Sequence, residues 1–157
     1  MIKVIGISNK KALQIQDKME KYVKLLRIGS KLGDNDIVIK FVKKYRYLKA
    51  TDYAMYIVNI VKRPNNSSKS NHEIIVNKRI LYSDKRLSMT LMHELVHIKQ
   101  ILDSKLAYVQ YRTGTGIFAF WKKSKLGKLD DLDYWSRPWE VEARKIEEQM
   151  WKEGRLY

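Results

Sequence analysis

The chain of 157 residues contains no cysteine, two prolines, three histidines and only 17 acidic residues against 32 lysines and arginines. Without cysteine there is no disulfide, no thiolate metal site, no iron–sulfur cluster and no cysteine nucleophile. Long apolar runs are missing too. The stretch Ala54 to Val61 is interrupted by Asn59 and falls far short of the ~20 residues that span a bilayer. The N-terminal MIKVIGISNKKA lacks the ~7–15 apolar residues of a signal-peptide core. These absences predict a soluble cytoplasmic protein with no membrane partner.

What is present suffices for a core. At 45% hydrophobic and 11% aromatic residues, wholesale disorder is excluded, and a chain of this length predicts one domain over 1–157. The net charge of +15 is spread along the chain and favours nucleic acid or an acidic partner. Basic and aromatic residues interleave at Lys43-Lys44-Tyr45-Arg46-Tyr47-Leu48-Lys49 and at Trp121-Lys122-Lys123-Ser124-Lys125, as nucleic-acid surfaces often do.

Periodicity predicts strands over Ile2–Ile7, Asp36–Tyr45, Thr51–Lys62 and Glu73–Leu81. Leu13, Ile15, Met19, Tyr22, Val23 and Leu26 predict a helix after Ser8 or Asn9. Gly29–Asp36 is expected to be a turn and Arg63–Asn71 a loop. Ser83 or Asp84 caps a helix whose stripe is Leu87, Leu91, Leu95, Ile98 and Leu102. Residues 104–135 show no clean period. A last helix begins near Arg137, with Pro138 in its first turn.

The long helix carries His93-Glu94-Leu95-Val96-His97. Positions four apart lie one turn above each other, so both imidazoles can meet one ion. The HExxH arrangement is a zinc motif with its glutamate as general base. Zinc accepts neutral imidazoles, keeps one position open for water and lowers that water's pKa toward ~7. Glu94 can then take the proton as water attacks a carbonyl. Random placement of the histidines and glutamates produces this pattern about once in five hundred such chains.

Two histidines need a third ligand. Gln100 and Asp103 stand where the metzincin pattern has glycine and histidine, and a straight helix carries Asp103 away from the ion. His72 precedes a strand and reads as a surface residue. A carboxylate from the last helix remains. Trp139, Ala143, Ile146 and Met150 define its buried stripe. At about 100° per residue, Glu142 lies about 60° from Trp139 and Glu140 about 100° away on the opposite side. Glu142 is therefore expected to face inward as the ligand and Glu140 to face solvent.

HELVH followed by a Glu-Ala on a second helix resembles the gluzincins, zinc enzymes whose third ligand is a glutamate. TLMHELVHIKQ and YWSRPWEVEAR resemble small phage and bacterial metallopeptidases related to the SprT-like and ImmA/IrrE-like zincins. The resemblance covers about residues 72–150. It implies a zincin-like α+β fold: a small mixed sheet, an HExxH helix and a C-terminal helix supplying a glutamate. It implies one Zn2+ per chain on His93, His97 and Glu142, with Glu94 as catalytic base. The substrate is then a polypeptide, and for a phage protein the compartment is the host cytoplasm. The alternative is a basic nucleic-acid-binding protein on the same scaffold, its metal structural or absent.

Weaker signals remain. Tyr108, Tyr111, Arg112 and Tyr134 are candidate donors to a developing oxyanion. The strand Glu73–Leu81, if it lies at the sheet edge, could pair with an extended peptide. Thr113–Gly116 lacks the context of a phosphate loop, and Asp130, Asp131 and Asp133 lack EF-hand spacing.

Overall fold

A computed structural model describes residues 1–44, 53–62, 68–110, 114 and 116–156. The element order is β1 (Ile2–Ile5), α1 (Asn9–Leu25), α2 (Gly29–Leu32), β2 (Asp36–Val42), β3 (Ala54–Lys62), β4 (Ser68–Asn77), α3 (Asp84–Leu102), β5 (Leu106–Val109), β6 (Phe118–Trp121), β7 (Ser124–Lys128) and α4 (Pro138–Lys152). The result is a mixed α+β fold with four α-helices and two small sheets among the described residues.

The larger sheet runs in the order β1-β2-β4-β3. β1, β2 and β4 are parallel, and β3 pairs antiparallel with β4. A parallel pair cannot be joined by a tight turn, and α1 makes the crossover from β1 to β2. β2 alternates as a half-buried strand should: Ile37, Ile39 and Phe41 are buried. They meet Ile15, Met19 and Tyr22 of α1 and Leu87, Leu91 and Leu95 of α3 in one core. Gly6, just past β1, has φ +88°, and a Cβ there would lie 2.3 Å from the Phe41 carbonyl oxygen. Only glycine fits that approach.

Several boundaries differ from expectation. The expected turn Gly29–Asp36 contains the short helix α2. The expected loop Arg63–Asn71 gives way to β4 from Ser68, with part of the loop outside the described residues. The strand expected to reach Leu81 stops at Asn77, because the Asn77 side chain accepts from the Arg79 N–H and starts a 3-10 turn, Lys78–Tyr82. β4 is also not an edge. Its backbone is used by β2 on one side and β3 on the other, so the edge next to α3 is β3.

α3 starts where the sequence places it: the Ser83 side chain accepts from the Arg86 N–H at 3.3 Å. The stretch without a period folds as an antiparallel sheet, β5-β6-β7. Its strands are short and bulged between Ala119 and Phe120, which breaks the alternation. A small second core of Leu106, Ala119 and Trp139 lies beneath it. α4 begins with Pro138 in its first turn and packs on α3. The basic run from Tyr45 to Lys49 lies outside the described residues. Among the described residues no helix is long and apolar enough to cross a membrane.

Candidate metal centre

α3 and α4 face each other at the floor of a cleft of about 1100 Å³. His93 and His97 stand one helical turn apart, ring centroids 4.7 Å and planes 85° from parallel. Both turn Nε2 toward a single carboxylate, that of Glu140. The distances are 3.0 Å from His93 Nε2 to Oε2 and 3.5 Å from His97 Nε2 to Oε1. His93, His97 and Glu140 offer three ligand atoms within 4.8 Å of one another. Two imidazole nitrogens and a carboxylate oxygen suit a borderline cation such as zinc.

The other ring nitrogens are held from behind. His93 Nδ1 lies 3.1 Å from Glu147 Oε2. His97 Nδ1 donates to Gln100 Oε1 at 2.9 Å, and Gln100 Nε2 donates onward to the Trp139 carbonyl and to Glu142 Oε2, both at 3.0 Å. Lys105 Nζ completes the chain by donating to Glu142 Oε1 at 2.9 Å. Such outer contacts fix the tautomer and leave Nε2 as the donor atom.

Electrostatics agree with the geometry. Burial opposes a charged His93, but the hydrogen bonds to Glu140 and Glu147 outweigh it and raise the imidazole pKa to about 10. Burial likewise opposes an ionised Glu140, and both histidines overcome it, holding the carboxyl far below its ordinary range. Glu94 is different. Burial pushes its carboxyl above the usual range against the pull of the histidines, and it makes no hydrogen bond among the described residues. Its carboxyl stands beside the cluster.

The expected third ligand is corrected. Glu142 does not approach the histidines; although burial favours its neutral form, Gln100 and Lys105 hold its carboxyl below the ordinary value. Glu140, expected in solvent, is 6% exposed. The error lies in taking Trp139 as the centre of the inward stripe. Trp139 packs into the small second core, whereas Ala143 is the buried contact with the main core. Measured from Ala143, Glu147 and Glu140 lie about 40° and about 60° to one side, and Glu142 about 100° to the other.

His72 is also not on the surface: it is 2% exposed on β4, apart from the cluster, and burial lowers its pKa. Asp103 ends α3, paired with Lys31 and Lys99. Tyr108 and Tyr134 line the cleft. Burial and the adjacent Glu140 carboxylate keep the Tyr134 phenol protonated. Tyr111 and Arg112 lie outside the described residues. Sequence reasoning weighed Glu140 and set it aside for Glu142, and it gave Gln100 and Glu147 no part in the site. The available signal was the shared helical face of Glu140, Ala143 and Glu147. Comparison with family models, curated proteins and solved structures finds no match for this chain.

Proposed function

We propose that the protein is a zinc-dependent hydrolase of the zincin type, acting on peptide bonds. The observation that carries this reading is the convergence of His93, His97 and Glu140 on one point, beside the unengaged carboxylate of Glu94. A divalent cation held by those three residues supplies acidification of water and polarisation of a carbonyl.

The residues of the chain do the rest. Glu94, buried beside the cluster and without a hydrogen-bond partner among the described residues, is suited to accept a proton from water and to return it to the leaving amine. The new bond joins water oxygen to the carbonyl carbon, and the bond that breaks is C–N. Glu147 and Gln100 keep both imidazoles aimed inward. Tyr134, which lines the cleft and hydrogen-bonds Glu140, is our candidate donor to the oxyanion. A peptide substrate is favoured because Tyr53, Ala54 and Met55, at the start of edge strand β3, line the same cleft. An extended chain can pair with such an edge.

Protein purified without a histidine tag should contain about one zinc per chain. Glu94→Gln should keep the metal and abolish peptide hydrolysis. Zinc-free protein, or undiminished turnover in Glu94→Gln, contradicts the proposal.

A further inference from the structure

The cleft carries four cations, Lys85, Arg86, Arg137 and Arg144, while its three carboxylates, Glu94, Glu140 and Glu147, cluster around the histidines. None of the four cations pairs with a carboxylate among the described residues. Each lies over an aromatic ring instead: Lys85 over Trp151 at 5.1 Å, Arg86 over Tyr53 at 4.9 Å, Arg137 over Tyr134 at 5.5 Å and Arg144 over Trp135 at 5.0 Å. Ring contacts hold a cation in place without neutralising it. Arg137 spends its donors on the Leu129 and Leu132 carbonyls.

Arg144 does not. It sits one turn beyond Glu140 on α4. Its Nη2 donates to the Trp135 carbonyl at 2.5 Å, but its Nη1 is buried with no acceptor. A buried donor left unpaired is costly, so an acceptor arriving there is favoured. Trp135 stacks on the guanidinium and is itself 70% exposed.

We propose that the cleft binds acidic polypeptide, with Arg144 receiving a substrate carboxylate beside the metal centre. The inference rests on the peptidase reading for its location. Ala54 and Met55, the first residues of edge strand β3, line the cleft and favour an extended peptide over nucleic acid. The carboxylate comes from an Asp or Glu side chain or from the chain terminus.

The test is fluorescence anisotropy of labelled decapeptides on zinc-reconstituted Glu94→Gln protein, repeated on metal-free protein. One peptide carries Asp and Glu, its companion Asn and Gln, each with a free or amidated C-terminus. A peptide with the carboxylate should bind at least about tenfold more tightly than its neutral counterpart. Arg144→Gln should remove that preference. Lys21→Gln, which deletes the same charge from an exposed position on α1, should not. Loss on Asn/Gln exchange assigns the side chain, and loss on amidation assigns the terminus. Should Arg144→Gln not fold, Arg144→Lys serves: keeping the charge but losing the planar fork, it should lower the preference by severalfold. An undiminished preference in the Arg144 variants, equal loss in Lys21→Gln, or tighter binding of an equally charged single-stranded oligonucleotide overturns the proposal. Absence of zinc defeats the peptidase reading alone, since the metal-free comparison still decides Arg144.

Discussion

The Glu140 carboxylate lies between the imidazoles of His93 and His97 and favours a proton on His93. The proton is held to about pH 10 by Glu140 and Glu147 acting against burial. A metal must displace it. Zinc affinity should therefore rise about tenfold per pH unit from pH 6 to 9, as expected when one proton is released per ion bound. Competition with a chelator of known proton affinity measures this, and a flat profile contradicts it. Glu140→Ala should lower zinc affinity by several orders of magnitude and Glu142→Ala by about 10–100-fold at most, since Glu142 acts only through Gln100. Equal losses, or the reverse order, would exchange their roles. The histidine pair was legible because its geometry belongs to one helix. The carboxylate was not: it depends on how α4 is rotated against α3, and that rotation is set by Ala143 and by the separate core beneath Trp139.

At the scale of elements, α3 is both part of the core and the helix that carries His93 and His97. Leu91 is fully buried in the main core on the helix that presents the histidines. Leu91→Ala should destabilise the protein by about 2–5 kcal/mol in denaturant unfolding. A loss below about 1 kcal/mol would mean that α3 is not packed as described. α3 was predictable from its stripe and Ser83 cap, and β2 from its alternation. The β5-β6-β7 sheet was not, because only Leu106 and Ala119 of its strands are buried and a bulge shifts the phase. Its β6–β7 turn uses Lys122 and Lys123 at φ 48° and 71°, a conformation that asparagine and glycine adopt more readily. Replacing the pair by Asn-Gly should raise stability by about 1 kcal/mol. A lower midpoint in denaturant would argue against this turn.

Over the whole molecule, a sheet with β3 at its edge and a cleft between α3 and α4 bring backbone pairing groups, four cations and the His93–His97–Glu140 cluster together. The succession of strands and helices in the first half was visible along the chain, whereas the mixed sheet was implied by the resemblance alone. Strand order was not visible: β3 and β4 are adjacent, yet which of them is the edge depends on β4 pairing with β2. The charge of +15 fixes no fold, but it attracts anions at long range. Binding of acidic peptide should therefore weaken steeply with salt, while a metal ion on His93, His97 and Glu140 should be far less sensitive to it. The central claim is the meeting of His93, His97 and Glu140 on one ion. Anomalous diffraction at the zinc edge, from crystals of untagged protein, tests it most directly. One peak per chain is expected, bounded by the two Nε2 atoms and the Glu140 carboxylate; no peak there, or one at Glu142, would overturn the proposed ligand set.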